Sequence, residues 1–114
     1  MSPTQRALEL AREQGYRAAV VEKWNAFAPT PDGKRRGIRQ DLFGFIDVIA
    51  IREGETLAIQ ATSLGNVSDR VKKITGEDCI AALGDVRKAG WRVVIWGFGL
   101  NSKRRIVHRE VDVS

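Results

Sequence analysis

The chain has 114 residues and a mass of 12.7 kDa, room for one domain with a single core and too little for most multi-domain enzymes. Apolar residues make up 43% and charged residues 29%, which argues against both disorder and a coiled coil. A lone cysteine, Cys79, excludes an internal disulfide and a cysteine-rich zinc site, and a lone histidine, His108, excludes a histidine cluster. The N-terminus, MSPTQRALELAREQ, carries acids where a signal peptide has its apolar stretch, and no apolar run is long enough to cross a bilayer, so the expected location is cytoplasmic.

The formal net charge is +5 and the sequence pI is near 9.9. That excess sits in two places. Lys34, Arg35, Arg36 and Arg39 form one cluster, and Lys103, Arg104, Arg105 and Arg109 a second; without those eight the chain has eleven bases against fourteen acids, a net of −3. Two solvated loops would account for the pattern. Focused positive charge on a near-neutral scaffold is also what a polyanion-binding surface needs, because each neutralised phosphate releases counterions.

In chain order, Ala7, Leu8, Leu10 and Ala11 mark one face of a first helix from Thr4 to Gln14, stopped by Gly15. Tyr16 to Trp24 reads as a strand, and Asn25 to Gly37, with two prolines, two glycines and the first basic cluster, as a loop. Two β-rich runs follow, DLFGFIDVIAI and TLAIQATS, flanking the polar break Glu53-Gly54-Glu55, and read as a β-hairpin. Val67, Val71 and Ile74 then mark a helix, Gly76 interrupts it, and Ile80, Leu83 and Val86 mark another ending at Gly90. WRVVIWGFG is a further apolar strand and RRIVHREVDV alternates like an edge strand. The order is α, β, β, β, α, α, β, β, in a single domain spanning residues 1–114.

Asp47 stands out, since an ionised carboxylate within an apolar strand needs a cation, a hydrogen-bond network or a metal, unless it is a structural aspartate at the strand end. With a two- or four-residue loop in the hairpin, Arg52 pairs with Glu55 and Asp47 lies opposite Gln60. Opposed residues share a face, and Thr62 follows on the same face two places on. An acid, an amide and a hydroxyl therefore converge, provided that no bulge shifts the register. Six residues of straight strand would put Asp41 about 20 Å from Asp47, so the two share a cation only if Gly44 kinks the chain.

A glycine shortly before a strand aspartate, a hairpin, and a triplet on the next strand, set in an αβββαβ order, resemble the PD-(D/E)XK nuclease superfamily. The small archaeal-type Holliday-junction resolvases and related phage nucleases are the nearest branch. Gly44, Asp47, Ile59, Gln60, Ala61 and Thr62 carry the likeness, within a span from Thr4 to Phe98. It implies an α/β fold with a restriction-endonuclease-like αβββαβ core, a mixed central sheet flanked by helices. It also implies a Mg²⁺- or Mn²⁺-dependent DNA endonuclease, with branched DNA among its candidate substrates.

The chain departs from the family pattern at two positions, with Gln60 where the family has Glu and Thr62 where it has Lys. A glutamine carbonyl can ligate a hard cation but brings no charge, and threonine cannot replace an ammonium. The resemblance implies Asp47 and Gln60 as metal ligands and Asp47, Gln60, Thr62 and Lys23 as catalytic residues, Lys23 supplying a relocated ammonium. Lys72 and Lys73 are other candidates for that ammonium, and Glu9 and Glu13 for a further metal ligand. Lys34, Arg35, Arg36, Arg39, Lys103, Arg104 and Arg105 are the expected DNA contacts. Trp24 and Phe27 are candidates for base stacking or for packing, and a homodimer through the C-terminal edge is an expected assembly. The Gln-Ala-Thr triplet also admits a different class: a nuclease-fold module that binds nucleic acid or a protein and cuts nothing.

Overall fold

The computed structural model of the chain describes residues 1–29 and 35–114, with the side chains of residues 25–39 outside the description. Its elements in order are α1 (Pro3–Glu13), β1 (Arg17–Val20), β2 (Lys23–Pro29), β3 (Arg35–Gln40), β4 (Val48–Arg52), β5 (Glu55–Ser63), a short 3-10 turn (Leu64–Asn66), α2 (Val67–Thr75), α3 (Ile80–Lys88), β6 (Arg92–Leu100) and β7 (Ile106–Asp112). Five strands form one mixed sheet in the order β1-β4-β5-β6-β7, and β2 and β3 form a separate two-stranded ribbon. This is an α/β fold. Among the described residues, no helix is long and apolar enough to cross a membrane.

Strand alternation sorts the core into two clusters, one on each face of the sheet. On one face Leu57, Ile59, Ala61, Val94 and Trp96 pack with Ala7 and Ala11 of α1. On the other Ala58, Val93 and Ile95 pack with Val67 and Ile74 of α2 and Leu83 and Val86 of α3. β5 and β6 are buried on both faces, from Leu57 through Thr62 and from Val93 through Phe98, whereas β4 ends in the exposed Ile51 and Arg52. The parallel β5–β6 pair needs a crossover, and α2 and α3 supply it.

The hairpin register agrees with the sequence reading. Arg52 pairs with Glu55 and Val48 with Ile59, with Gly54 in the turn at φ +72°. Three readings require correction. The strand expected over Tyr16 to Trp24 breaks after Val20, and the expected loop from Asn25 to Gly37 contains most of β2 and part of β3. Such a ribbon tolerates proline at its margin, and Pro29 closes β2. The run from Leu42 to Ile46 is a tight turn rather than strand: the Leu42 and Ile46 amides each donate to the other's carbonyl, at 3.0 and 2.9 Å, while Phe43 and Gly44 take φ of 55° and 85°. Left-handed backbone suits glycine, and Gly44 provides the kink.

One glycine sets the distance between α2 and the sheet. A Cβ built on Gly97 of β6 would collide with Val67 Cγ2 and lie 3.3 Å from Leu64 Cα, so glycine is what lets the start of α2 approach this strand so closely. Gly97→Ala is expected to destabilise the protein by about 1–3 kcal/mol, the ordinary cost of overpacking. Urea denaturation measures it, and an unchanged midpoint would show that α2 has room to move away.

Candidate metal centre

The tight turn before β4 brings together what a straight strand would have kept apart. One carboxylate oxygen each from Glu22, Asp41 and Asp47 lie within 4.8 Å of one another, and this cluster of three acids can hold a metal ion. Asp41 and Asp47 flank the Phe43-Gly44 turn. Glu22 arrives from the neighbouring strand: β1 pairs with β4 through Val20 and Val48, and the Val21 amide donates to the Asp47 carbonyl at 2.8 Å, continuing that ladder to the next residue.

Asp47 is held from the other side by β5. Its Oδ2 accepts from the Ala61 amide at 2.8 Å and from Gln60 Nε2 at 2.7 Å. The side chains of Asp47, Gln60 and Thr62 are all buried, with 3–4% exposure, and all three line the same cleft. That cleft has a volume of about 410 Å³ and is bounded also by Glu22, Asp41, Arg70 and the start of α1 from Ser2 to Thr4. The convergence expected from the hairpin register is therefore present.

Three carboxylates in one place repel one another. Burial pushes the Asp47 carboxyl up from an ordinary 3.8 to about 7, helped by a hydrogen bond shared with Asp41 and by the charges of Asp41 and Glu22, and opposed by the Ala61 amide. A divalent cation would remove that repulsion. The donor set fits one of the hard type, being oxygen throughout, and a second observation supports the fit: Gln60 Oε1 is buried with no hydrogen-bond partner although its own Nε2 is engaged.

The other expected site residues lie as follows. Lys23 is exposed on β2 and does not line the cleft. Lys73 does reach the acids, its Nζ 3.9 Å from Asp41 Oδ2, while Lys72 is exposed. Glu9 and Glu13 line a separate groove with Leu10, Phe98 and His108, away from Asp47. Lys103, Arg104 and Arg105 are exposed on the β6–β7 turn, where Asn101 Oδ1 accepts from the Lys103 and Arg105 amides at 2.9 and 3.0 Å. Arg35, Arg36 and Arg39 fall on β3 and Trp24 is exposed on β2; Lys34 and the side chains of those arginines and of Phe27 lie outside the described residues. Two charged cleft residues, Glu22 and Arg70, were not singled out from the sequence.

Topology relates the basic segments to the acids. β5 and β6 run in parallel toward one end of the sheet, with Ser63 beside Phe98 and β6 continuing to Leu100; β1 ends, and β4 begins, on the side of the sheet toward that end, with Val20 beside Val48 and Val48 beside Ile59. The β2–β3 ribbon leaves β1 there and the 101–105 turn leaves β6 there. Both basic segments thus emerge from the end of the sheet that carries the acid cluster. Comparisons with protein-family models, curated proteins and solved structures found no match.

The raised Asp47 pKa has a consequence for stability. Between about 4 and 7 the folded protein holds a proton on this group that the unfolded chain releases, so the metal-free protein loses stability as pH rises through that window. At about 1.4 kcal/mol per unit, the loss is of order a few kcal/mol. Glu55, held down at about 2 by Tyr16, Arg92 and Arg52, titrates below the window and acts in the opposite sense. Urea midpoints in EDTA are expected to be lower at pH 8 than at pH 5.5, and millimolar Mn²⁺ at pH 8 to recover the difference. Equal midpoints, unmoved by Mn²⁺, would contradict this description of the cluster.

Proposed function

We propose that this protein is a small metal-dependent phosphodiester hydrolase acting on DNA, an endonuclease of the PD-(D/E)XK type. The observation that carries the reading is the placement of three acids and an unpartnered buried amide oxygen at the end of the sheet from which both basic segments emerge. A cation-binding pocket alone would suit many reactions. Beside two concentrations of positive charge, it suits one in which a polyanion is held across the pocket.

Glu22, Asp41 and Asp47 would hold the cation, with Mg²⁺ the choice that an all-oxygen, mostly carboxylate set favours. When bound, such an ion supplies a Lewis acid at the phosphate and lowers the pKa of a coordinated water. The protein's own residues do the rest. The Ala61 amide and Gln60 Nε2 fix Asp47 Oδ2, so the carboxylate keeps one orientation, and Gln60 Oε1 offers a neutral fourth oxygen. The overall reaction adds water across one P–O bond, leaving a phosphate on one strand end and a hydroxyl on the other. Lys23, exposed outside the cleft, has no part in this scheme, and Thr62 lines the wall.

One observation favours the alternative, a nuclease-fold module that binds nucleic acid or a protein without cutting. Lys73 already gives Asp41 a cationic partner and the Gln60 amide gives Asp47 a hydrogen-bond donor, so both carboxylates have protein partners without a metal.

Incubation with branched, duplex and single-stranded DNA in Mg²⁺ or Mn²⁺ distinguishes the two. Cleavage is expected, abolished by EDTA and reduced on the order of 10²-fold or more by Asp47→Asn, the scale on which a group stabilising the reacting centre contributes. Binding without cleavage, indifferent to Asp47→Asn, would establish the alternative. DNA affinity is expected to fall with salt, and replacing Arg35, Arg36 or Arg39 with Ala to reduce the slope of log K against log[salt] by about 1 for each arginine that meets a phosphate. An unchanged slope would remove the β3 arginines from the interface.

A further inference from the structure

Arg70 is the one cation among the described residues lining the cleft, and its environment is unusual for an arginine. It lies on α2 within the stripe Val67, Arg70, Val71, Ile74, whose i, i+3, i+4, i+7 spacing is that of the buried face. Val67 is seated against Gly97, which sets how closely the first turn of α2, and with it Arg70, approaches β6. Its Nε is buried and has no hydrogen-bond partner. It forms no ion pair among the described residues, although three carboxylates line the same cleft and Lys73, one turn on, approaches Asp41 at 3.9 Å.

A buried guanidinium donor left unpaired is costly, and such groups in folded proteins ordinarily have a partner. An acceptor that enters the cleft would supply the missing partner. Guanidinium geometry, a planar fork of donors, matches the paired oxygens of a phosphate or carboxylate better than a single water. The start of α1, which reaches the cleft from the opposite face of the sheet, adds the positive end of a helix dipole, with no acidic residue in the first turn to cancel it.

We infer that Arg70 is the phosphate-holding residue of the cleft, donating to non-bridging oxygens of a phosphate group whose other side faces the acid cluster. The inference deepens the proposed hydrolase reading and rests on it for the identity of the reaction, but the phosphate site can be tested without any cleavage. Gln60 and Thr62, the nearest polar residues of β5, are both neutral, so the positive charge that a phosphate needs opposite the cation site comes from α2. The part of Arg70 is to bind and to neutralise.

Isothermal titration calorimetry on the full chain, with inorganic phosphate in Mg²⁺ as one probe and Mn²⁺ alone as the other, separates this role from a structural one. Arg70→Ala and Arg70→Gln are expected to weaken phosphate binding by roughly ten- to hundred-fold, with Arg70→Lys recovering part of the loss. The same two variants are expected to bind Mn²⁺ as tightly as the wild type or more so, because a positive charge has left the neighbourhood of the acids. A residue that merely supported the fold would lower both affinities together. Parallel loss of both, or phosphate affinity unchanged in Arg70→Gln, would overturn the inference; should Arg70→Ala fail to fold, Arg70→Gln decides. Wild-type protein that binds phosphate through Arg70 yet cleaves no DNA would remove the nuclease reading and leave this one standing. DNA cleavage undiminished in Arg70→Gln would do the reverse.

Discussion

The structure depends on how one desolvated carboxylate is accommodated. Asp47 sits where β4 begins, at 4% exposure, with two other acids facing it. A charge in that position is tolerable only with donors pointed at it. The Ala61 amide and the Gln60 carboxamide meet that need on one oxygen, and the proton that burial and Asp41 hold on the group near pH 7 meets it in the absence of a cation. The same features that make the site costly for an apo protein make it receptive to a divalent ion. A buried acid that costs the fold stability in this way is a pattern expected of binding sites and not of a core.

The fold serves that residue from four directions. β5, buried on both faces, presents Gln60, Ala61 and Thr62 at fixed spacing. β1 delivers Glu22 through its ladder to β4, and the Phe43-Gly44 turn folds Asp41 back onto Asp47. From the helical layer, the close approach of Val67 to Gly97 places Arg70 on the remaining wall. At the opposite end of β5, Glu55 accepts from Tyr16, Arg52 and Arg92, tying the hairpin tip to α1's exit and to β6. The sheet has an ionic clamp at one end and a chemically loaded cleft at the other.

What could be read from the sequence followed the range of the interactions involved. The Asp47–Gln60–Thr62 face was legible because a tight Glu53-Gly54 turn fixes a local register, and side-chain alternation does the rest. The turn over Leu42–Ile46 was not, because LFGFI is apolar enough to look like strand; Phe45 and Ile46 are in fact fully buried in the core while Phe43 is exposed. Gly44 carried the signal of a kink, though not its size. Glu22 was hidden by distance in sequence, since its place depends on β1 pairing with β4 across the inserted ribbon. Arg70 could have been found: a lone arginine in the apolar stripe of a short helix is conspicuous once the stripe is drawn. The β2–β3 ribbon, rich in proline and charge, carried the local signals of a loop, and its pairing is set by the strands meeting each other.

Glu22, Asp41 and Asp47 are proposed to form a divalent-cation site together. Diffraction from crystals grown with Mn²⁺, recorded near the manganese edge, would locate the ion. One anomalous peak is expected among the three carboxylates, at coordination distances of about 2 Å from their oxygens. A clean map with no such peak, and with Lys73 or Arg70 drawn across the acids in its place, would contradict it.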